Sequence, residues 1–152
     1  MKAPTVLIVD SNPRDLAKLA AILAEGRYTV LQATGYPEAA AILTRHRGRL
    51  VVLSYLSEAN EDGLQFLKDT LKKYPFLPFI FTAASPPLKS VLGALRQGAY
   101  DFIRIPVPPD ILLHSVARSA QKLSLTLETE KQEKEIRKLL DRSREDLKNA
   151  RT

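Results

Sequence analysis

The chain has 152 residues, of which 45% are hydrophobic and 26% charged, so it is long enough to bury one core and to carry a modest appendage. The absence of cysteine excludes disulfides, thiol catalysis and thiolate metal sites, and no apolar run is long enough to cross a membrane or to resemble a signal peptide. The net charge of +6 is divided equally between residues 1–110 and 111–152, so we expect a cytoplasmic protein whose partners are proteins rather than nucleic acid.

Short apolar runs alternate with helical segments along most of the chain. The runs, which are typical of buried strands, lie near residues 5–9, 28–33, 50–54, 78–82 and 100–104. Apolar residues at helical spacing lie near residues 13–25, 37–46, 63–74, 87–97 and from about 109 onward. This alternation predicts an α/β fold in which helices cover both faces of a parallel sheet.

The first helix has start and stop signals of its own. Asn12 is suited to cap the helix, Pro13 to occupy its first position, and Asp15 to lie in its positively polarised first turn. Gly26 then ends the apolar periodicity. We therefore expect a helix that begins directly after the first strand.

The last forty residues have a different character, because no Gly or Pro follows Asp110. They predict one long helix, with a boundary between a domain at residues 1–122 and a helical extension at residues 123–152. Two apolar repeats that are out of phase run along it: Val116, Ala120, Leu123 and Leu127, then Ile136, Leu140, Ser143, Leu147 and Ala150. An interrupted coiled coil and a solvated, fraying helix both remain open, but because isolated helices are marginal we expect self-association as a homodimer.

Polar or unusual residues stand at the ends of the predicted strands. Asp10 and Ser11 follow the first strand, Tyr55 ends the third, Thr82 ends the fourth, and Ile105 follows the fifth.

The order and spacing of these features resemble the receiver domain of two-component response regulators, the CheY-like family. The matching motifs are Val9-Asp10, Asp62-Gly63, Thr82-Ala83, Gly98-Ala99 and Ile105-Pro106. The resemblance covers about residues 4–122. It implies a flavodoxin-like, doubly wound sheet of five parallel strands in the order 2-1-3-4-5.

The resemblance also implies that the chemistry of the family is missing. Asp10 matches the first residue of the acidic pair that holds Mg²⁺, and Thr82 matches the switch hydroxyl. Ser11 replaces the second acid, Tyr55 the phosphoacceptor aspartate, and Ile105 the lysine. We therefore expect a degenerate acceptor pocket, no enzyme activity and no cofactor, with Asp10 at most a weak cation site.

Two neighbouring groups bear on this interpretation. Ser54 competes with Tyr55 for the acceptor position, but the two cannot face the same side of a strand, and the ungapped spacing to Asp62 favours Tyr55. Glu58 and Glu61 are either solvated loop charges or carboxylates that approach the rim of the pocket.

Phe102 and Pro106 are candidates for a signalling face. Phe102 is either the aromatic residue that in receivers reports the state of the pocket to the face of the fourth helix, fifth strand and fifth helix, or an ordinary core residue. That face is the usual dimer and output surface of the family. The Ile105-Pro106 peptide bond is expected to be cis, by resemblance to the Lys-Pro bond of the family.

Three functions follow from the sequence. The first is a phosphorylation-independent pseudo-receiver that dimerises or docks on protein partners in two-component signalling. The second is a switch controlled by a kinase acting on Ser54 or Tyr55, or by a small ligand in the altered pocket. The third, a basic DNA-associated adaptor, rests on the net charge alone.

Overall fold

The computed structural model of the chain describes residues 4–57 and 62–151, which form five strands alternating with five helices. In chain order these are β1 (Thr5–Val9), α1 (Pro13–Glu25), β2 (Thr29–Ala33), α2 (Tyr36–Arg45), β3 (Val51–Tyr55), α3 (Asp62–Lys73), β4 (Phe79–Ala83), α4 (Leu88–Arg96), β5 (Asp101–Arg104) and α5 (Pro109–Ala150). The predicted elements are confirmed, with bounds that agree to within one residue.

The strands form one parallel sheet in the order β2-β1-β3-β4-β5, as the resemblance implied. Val9 lies opposite Ser54 in the β1–β3 pair, and Tyr55 lies opposite Thr82 in the β3–β4 pair. This register brings the carboxyl ends of β1, β3 and β4 to the same edge, which we call the carboxyl edge. The opposite edge, where the strands begin, is the amino edge.

The two faces of the sheet are buried beneath different helices. Under α2, α3 and α4 the buried strand residues are Leu7, Val9, Ala33, Val52, Phe79 and Phe81. Under α1 and α5 they are Val6, Ile8, Val51, Leu53, Ile80 and Ile103. Because side chains alternate along a strand, Ser54 shares the side of Val52, whereas Tyr55 shares the side of Leu53.

The start of α1 agrees with its predicted capping. The side-chain oxygen of Asn12 accepts hydrogen bonds from the backbone N–H groups of Arg14, at 2.9 Å, and Asp15, at 3.4 Å. Gly26 caps the other end, where its N–H donates to the carbonyl of Ile22. The carboxyl edge at β1 is therefore held by a well-formed helix terminus.

The last helix, α5, is unbroken over 42 residues and is about 63 Å long. Its buried residues end at Leu123. Ser115 Oγ donates to Asp101 Oδ2 at 2.6 Å, and Lys122 Nζ lies 5.2 Å from the centre of the Tyr100 ring. Since Tyr100 and Asp101 mark the start of β5, α5 runs opposite to the strands and leaves the domain at the amino edge. Within the described residues no helix could span a membrane.

Candidate functional site

Asp10 is buried directly after β1, with 4% of its surface exposed. One carboxylate oxygen accepts a hydrogen bond from the Asn12 N–H at 2.9 Å, while the other has no hydrogen-bond partner among the described residues. Burial raises the pKa of Asp10; the Asn12 hydrogen bond lowers it in part, and the charge of Asp15 adds to the rise. The carboxylate is thus poorly stabilised in its charged form.

Tyr55 and Thr82 stand at the carboxyl edge beside Asp10. Thr82 is buried, Tyr55 is half-buried, and the next residue in β3's path, Leu56, donates its N–H to the Thr82 carbonyl at 2.8 Å. The structure therefore gathers the three residues at one edge, as the resemblance implied. The strand position that the resemblance assigned to a carboxylate acceptor holds the phenol of Tyr55.

Ser54 faces the other side of the sheet and is fully buried. Its Oγ has no well-formed hydrogen bond to any residue of the described segments. A contact with the Tyr36 hydroxyl is close enough to influence the pKa of Tyr36 but does not reach hydrogen-bond geometry. Ser54 is consequently inaccessible to a modifying enzyme in the folded chain.

Tyr36 lies at the site but belongs to none of the sequence motifs, so the sequence did not identify it. It begins α2, and its ring stacks on Phe66 with centroids 4.7 Å apart. A Cβ atom on Gly63 would lie 2.8 Å from the Tyr36 hydroxyl, so that glycine makes room for it. Burial raises the pKa of Tyr36; Ser54 opposes the rise, and the charges of Asp62 and Asp10 add to it. The phenol therefore lies, protonated, beneath the carboxyl edge.

Ile105 is half-buried and Ser11 is exposed. Neither side chain carries a charge, so neither contributes one to the site. The Ile105-Pro106 bond is cis, as expected. A groove of about 300 Å³ opens between α1 and the segment after β5; it is lined by Asp15, Lys18, Leu19, Ile22, Ala84, Ile105, Pro106 and Val107. Apolar and mixed-charge side chains thus surround Ile105, the residue that the resemblance set in place of a lysine.

Phe102 packs inside the sheet layer under α4. Its ring centroid lies 6.0 Å from that of Phe81, and its N–H donates to Asp101 Oδ1 at 2.8 Å. This half-buried placement agrees with a core residue and also with a residue that contacts the outer face. Both interpretations of Phe102 remain open.

The described residues do not fit the Mg²⁺ that receivers use. No group of three or more His, Asp or Glu side chains in residues 4–57 and 62–151 could hold a metal ion. Asp10 stands alone where an acidic pair is needed, since Ser11 and Tyr55 offer no carboxylate. Glu58 and Glu61, the other acids considered, lie outside the described residues.

Large apolar side chains are exposed on α4, at the start of α5 and on the part of α5 beyond Leu123. On α4 and at the start of α5 they are Leu88, Leu92, Leu95 and Ile111. On the part of α5 beyond Leu123, which we call the tail, they are Leu125, Ile136, Leu139, Leu140 and Leu147, each more than half exposed. Surfaces of this kind are typical of protein–protein contacts.

Comparison of the sequence with known proteins gives relatives over most of the chain. No protein-family model matches. The chain is 29% identical over 127 residues to the nitrogen assimilation regulatory protein NtrX of Azorhizobium caulinodans, covering 83% of this chain and 28% of that protein. It is 32% identical over 127 residues to the C4-dicarboxylate transport transcriptional regulatory protein DctD of Rhizobium meliloti, covering 83% and 27%. The chain therefore spans about a quarter of the length of these relatives.

Solved structures with the same fold include a response regulator receiver domain protein from Clostridium thermocellum. It has a TM-score of 0.75 and 21% identity, over 81% of this chain and 98% of that one. NtrX from Brucella abortus, crystallised in complex with ADP, also has a TM-score of 0.75, with 26% identity over 85% of this chain and 29% of that one. The fold is thus that of complete receiver domains and of the receiver part of longer regulators.

Proposed function

We propose that the chain is a response-regulator receiver (CheY-like) domain that acts in two-component signalling as a pseudo-receiver and does not use phosphorylation. The observation that carries this proposal is the pairing of Tyr55 with Thr82 at the carboxyl edge. A phenol with an ordinary pKa of about 10 is protonated at neutral pH, so it cannot replace a carboxylate as acceptor. Ser11 and Ile105 remove the second acid and the cation as well.

Exposure to a small phosphodonor tests this proposal. The chain is incubated with acetyl phosphate and Mg²⁺, and its intact mass is measured. We expect an unchanged mass, because no described carboxylate stands in the acceptor position. A gain of one phosphoryl group would overturn the proposal, and peptide mapping would then identify the acceptor.

In this proposal the output of the domain is a protein–protein contact. Residues 1–122 form the receiver-like domain, residues 123–152 form the helical extension, and the protein works in the cytoplasm. The exposed leucines and Ile136 of the tail would be covered by the tail of a second copy, which removes their apolar surface from water. The exposed α4 residues Leu88, Leu92 and Leu95 supply a second contact surface for a partner or for the same dimer.

The charge pattern of the tail supports a parallel arrangement of two copies. With Leu140 and Leu147 at a positions and Ile136, Ser143 and Ala150 at d positions, the e positions are all arginine: Arg137, Arg144 and Arg151. An antiparallel pair would set these arginines against one another. A parallel pair instead places Asp146, at a g position, beside Arg151 of the second copy.

The second candidate function is a switch controlled by covalent modification. Tyr55 is the better target for a kinase, because it is partly exposed whereas Ser54 is fully buried. A kinase acting on Tyr55 would add a dianion next to the poorly stabilised carboxylate of Asp10. Replacement of Tyr55 by Phe removes only the hydroxyl. It should abolish regulation in cells if this candidate is right and have little effect if the pseudo-receiver is constitutive.

A further inference from the structure

The amino edge of the sheet is strongly basic. The last turns of α1 to α4 and the loops that follow them hold seven Lys or Arg residues but a single acid, Glu25. The basic residues, all exposed, are Arg27, Arg45, Arg47, Arg49, Lys72, Lys73 and Arg96. Among the described residues, this edge therefore carries a charge surplus as large as the net charge of the whole chain.

Contacts between the loops join most of these cations into one surface. Gly48, which lies between two of the arginines, packs directly against the ring of Tyr74, the residue after Lys73. A Cβ atom on Gly98, just past Arg96, would lie 2.7 Å from Leu71 Cδ1. The loop entering β3 consequently contacts Tyr74, directly after α3, and the loop entering β5 contacts the last turn of α3. We call the combined surface of these helix ends and loops the basic edge.

The concentration of charge exceeds what the helix ends explain. One cation near a helix C-terminus is favoured by the helix dipole, but α2 ends with Arg45, Arg47 and Arg49 within five residues. The tail is nearly neutral, since residues 124–151 hold eight Lys or Arg and seven Asp or Glu. The surplus looks evenly divided along the sequence, yet the fold concentrates it at the basic edge.

We propose that the basic edge binds the phosphate backbone of nucleic acid. Arginine offers a planar fork of N–H donors that matches phosphate oxygens. Tyr74 and Phe76, half-buried with ring centroids 6.4 Å apart, lie among the cations and provide aromatic surface next to bound bases or sugars. Of the large exposed aliphatic residues on the domain, Leu95 lies at this edge beside Arg96, whereas Leu88 and Ile111 begin their helices at the opposite edge, so a membrane surface would find few apolar anchors there.

The size of the basic edge fits a short stretch of backbone. β3 and β5 are about 10 Å apart, at about 4.8 Å per strand. This distance corresponds to about three phosphates at about 3.4 Å per charge along one strand. Three neutralised phosphates give a weak, sequence-independent interaction with a salt dependence that can be measured.

Fluorescence anisotropy of the full chain tests the proposal with two probes, a labelled DNA duplex of about 20 base pairs and one of its single strands. Three contacts predict that the affinity for the duplex falls about 40-fold between 50 and 200 mM salt. The triple variant Arg45→Gln/Arg49→Gln/Lys72→Gln should lose at least about tenfold in affinity at 50 mM salt. Arg47 is kept in this variant because its φ of 55° is unusual, and circular dichroism checks the fold.

The tail provides a matched control with the same change of charge. Lys131→Gln/Lys134→Gln/Lys138→Gln should bind the probes within about twofold of the unmodified chain. Equal losses in the two triple variants would show that only net charge matters, which overturns the proposal. Absence of binding to both probes at 50 mM salt also overturns it, as does tighter binding to phosphatidylserine vesicles than to DNA. The DNA-binding experiment tests the amino edge and the acetyl phosphate experiment tests the carboxyl edge. Failure of one proposal can therefore be distinguished from failure of the other.

Discussion

Tyr55 lies directly opposite Thr82 at the carboxyl edge, where the backbone N–H that follows Tyr55 donates to the Thr82 carbonyl at 2.8 Å. Under the proposed pseudo-receiver assignment, this register would aim an acceptor side chain at the hydroxyl of Thr82, and only the side chain at position 55 would differ. If only side chains differ, replacing them should be enough to restore phosphorylation.

Restoring three side chains should recover phosphorylation. In the variant Ser11→Asp/Tyr55→Asp/Ile105→Lys, an acidic pair, an acceptor and a cation again surround Thr82. We expect the intact mass to increase by one phosphoryl group after incubation with acetyl phosphate and Mg²⁺. The control Ser11→Asp/Ile105→Lys, which keeps Tyr55, should remain unmodified. An unreactive triple variant would contradict the retained geometry.

If the proposed tail-mediated dimer forms, polar substitutions in the tail should separate its two copies. Leu140→Gln/Leu147→Gln removes two exposed leucines from the a positions of the tail. Light scattering after size exclusion should give half the mass of the unmodified chain. Because the tail lies outside the buried core, the thermal unfolding midpoint of the domain should change by no more than a few degrees.

The matched control for this experiment is Asp141→Gln/Lys148→Gln, at the b positions of the same two heptads. It should leave the mass unchanged. A monomeric unmodified chain would contradict the dimer itself. A dimer that survives the leucine substitutions would instead assign self-association to the α4 surface.

Single cysteines can determine the orientation of the two tails, since the chain has none of its own. In a parallel pair Ala150→Cys places two thiols opposite each other, so mild oxidation should give a covalent dimer. In an antiparallel pair the same variant should stay uncrosslinked. A mixture of Ile136→Cys and Leu147→Cys chains should then form a crosslinked heterodimer, because d positions face a positions in an antiparallel pair. Glu145→Cys, at an outward f position, is the negative control.

Asp10 should make stability depend on pH in a defined direction. Its folded-state pKa is raised above 3.8, so the native chain binds this proton more tightly than the unfolded chain does. The contribution of this proton to the free energy of unfolding is complete below pH 3.8 and is lost as the pH rises through the raised pKa of Asp10. Asp10→Asn should therefore increase the free energy of unfolding at pH 7 by about 1 kcal/mol, because a poorly satisfied buried charge is removed.

The increase caused by Asp10→Asn should disappear as the pH is lowered toward 3.8. Chemical denaturation at several pH values measures it, with Asp141→Asn as a control that removes an exposed carboxylate of the tail. A destabilised Asp10→Asn variant at pH 7 would mean that the charge itself is needed, for instance by a cation.

The sequence was sufficient for the elements and for the position of Tyr55, because apolar strands and the spacing to Asp62 are local patterns. It was insufficient for Tyr36, whose role depends on the space left by Gly63 on a different element. The basic edge was missed for the same reason, since Arg49, Lys72 and Arg96 are distant in sequence and become neighbours only through the parallel sheet. Contacts between loops are set by topology, which no local pattern records.

The unbroken course of α5 has a mechanical consequence. From Leu123, where burial ends, to Ala150 the helix extends about 40 Å. A tilt of about 5° at Leu123 moves the far end sideways by about 3.5 Å. That displacement is more than a third of the 8–10 Å that separates the axes of packed helices. A small repacking of α5 against β5 would thus decide, at the distant end, whether two tails meet or part.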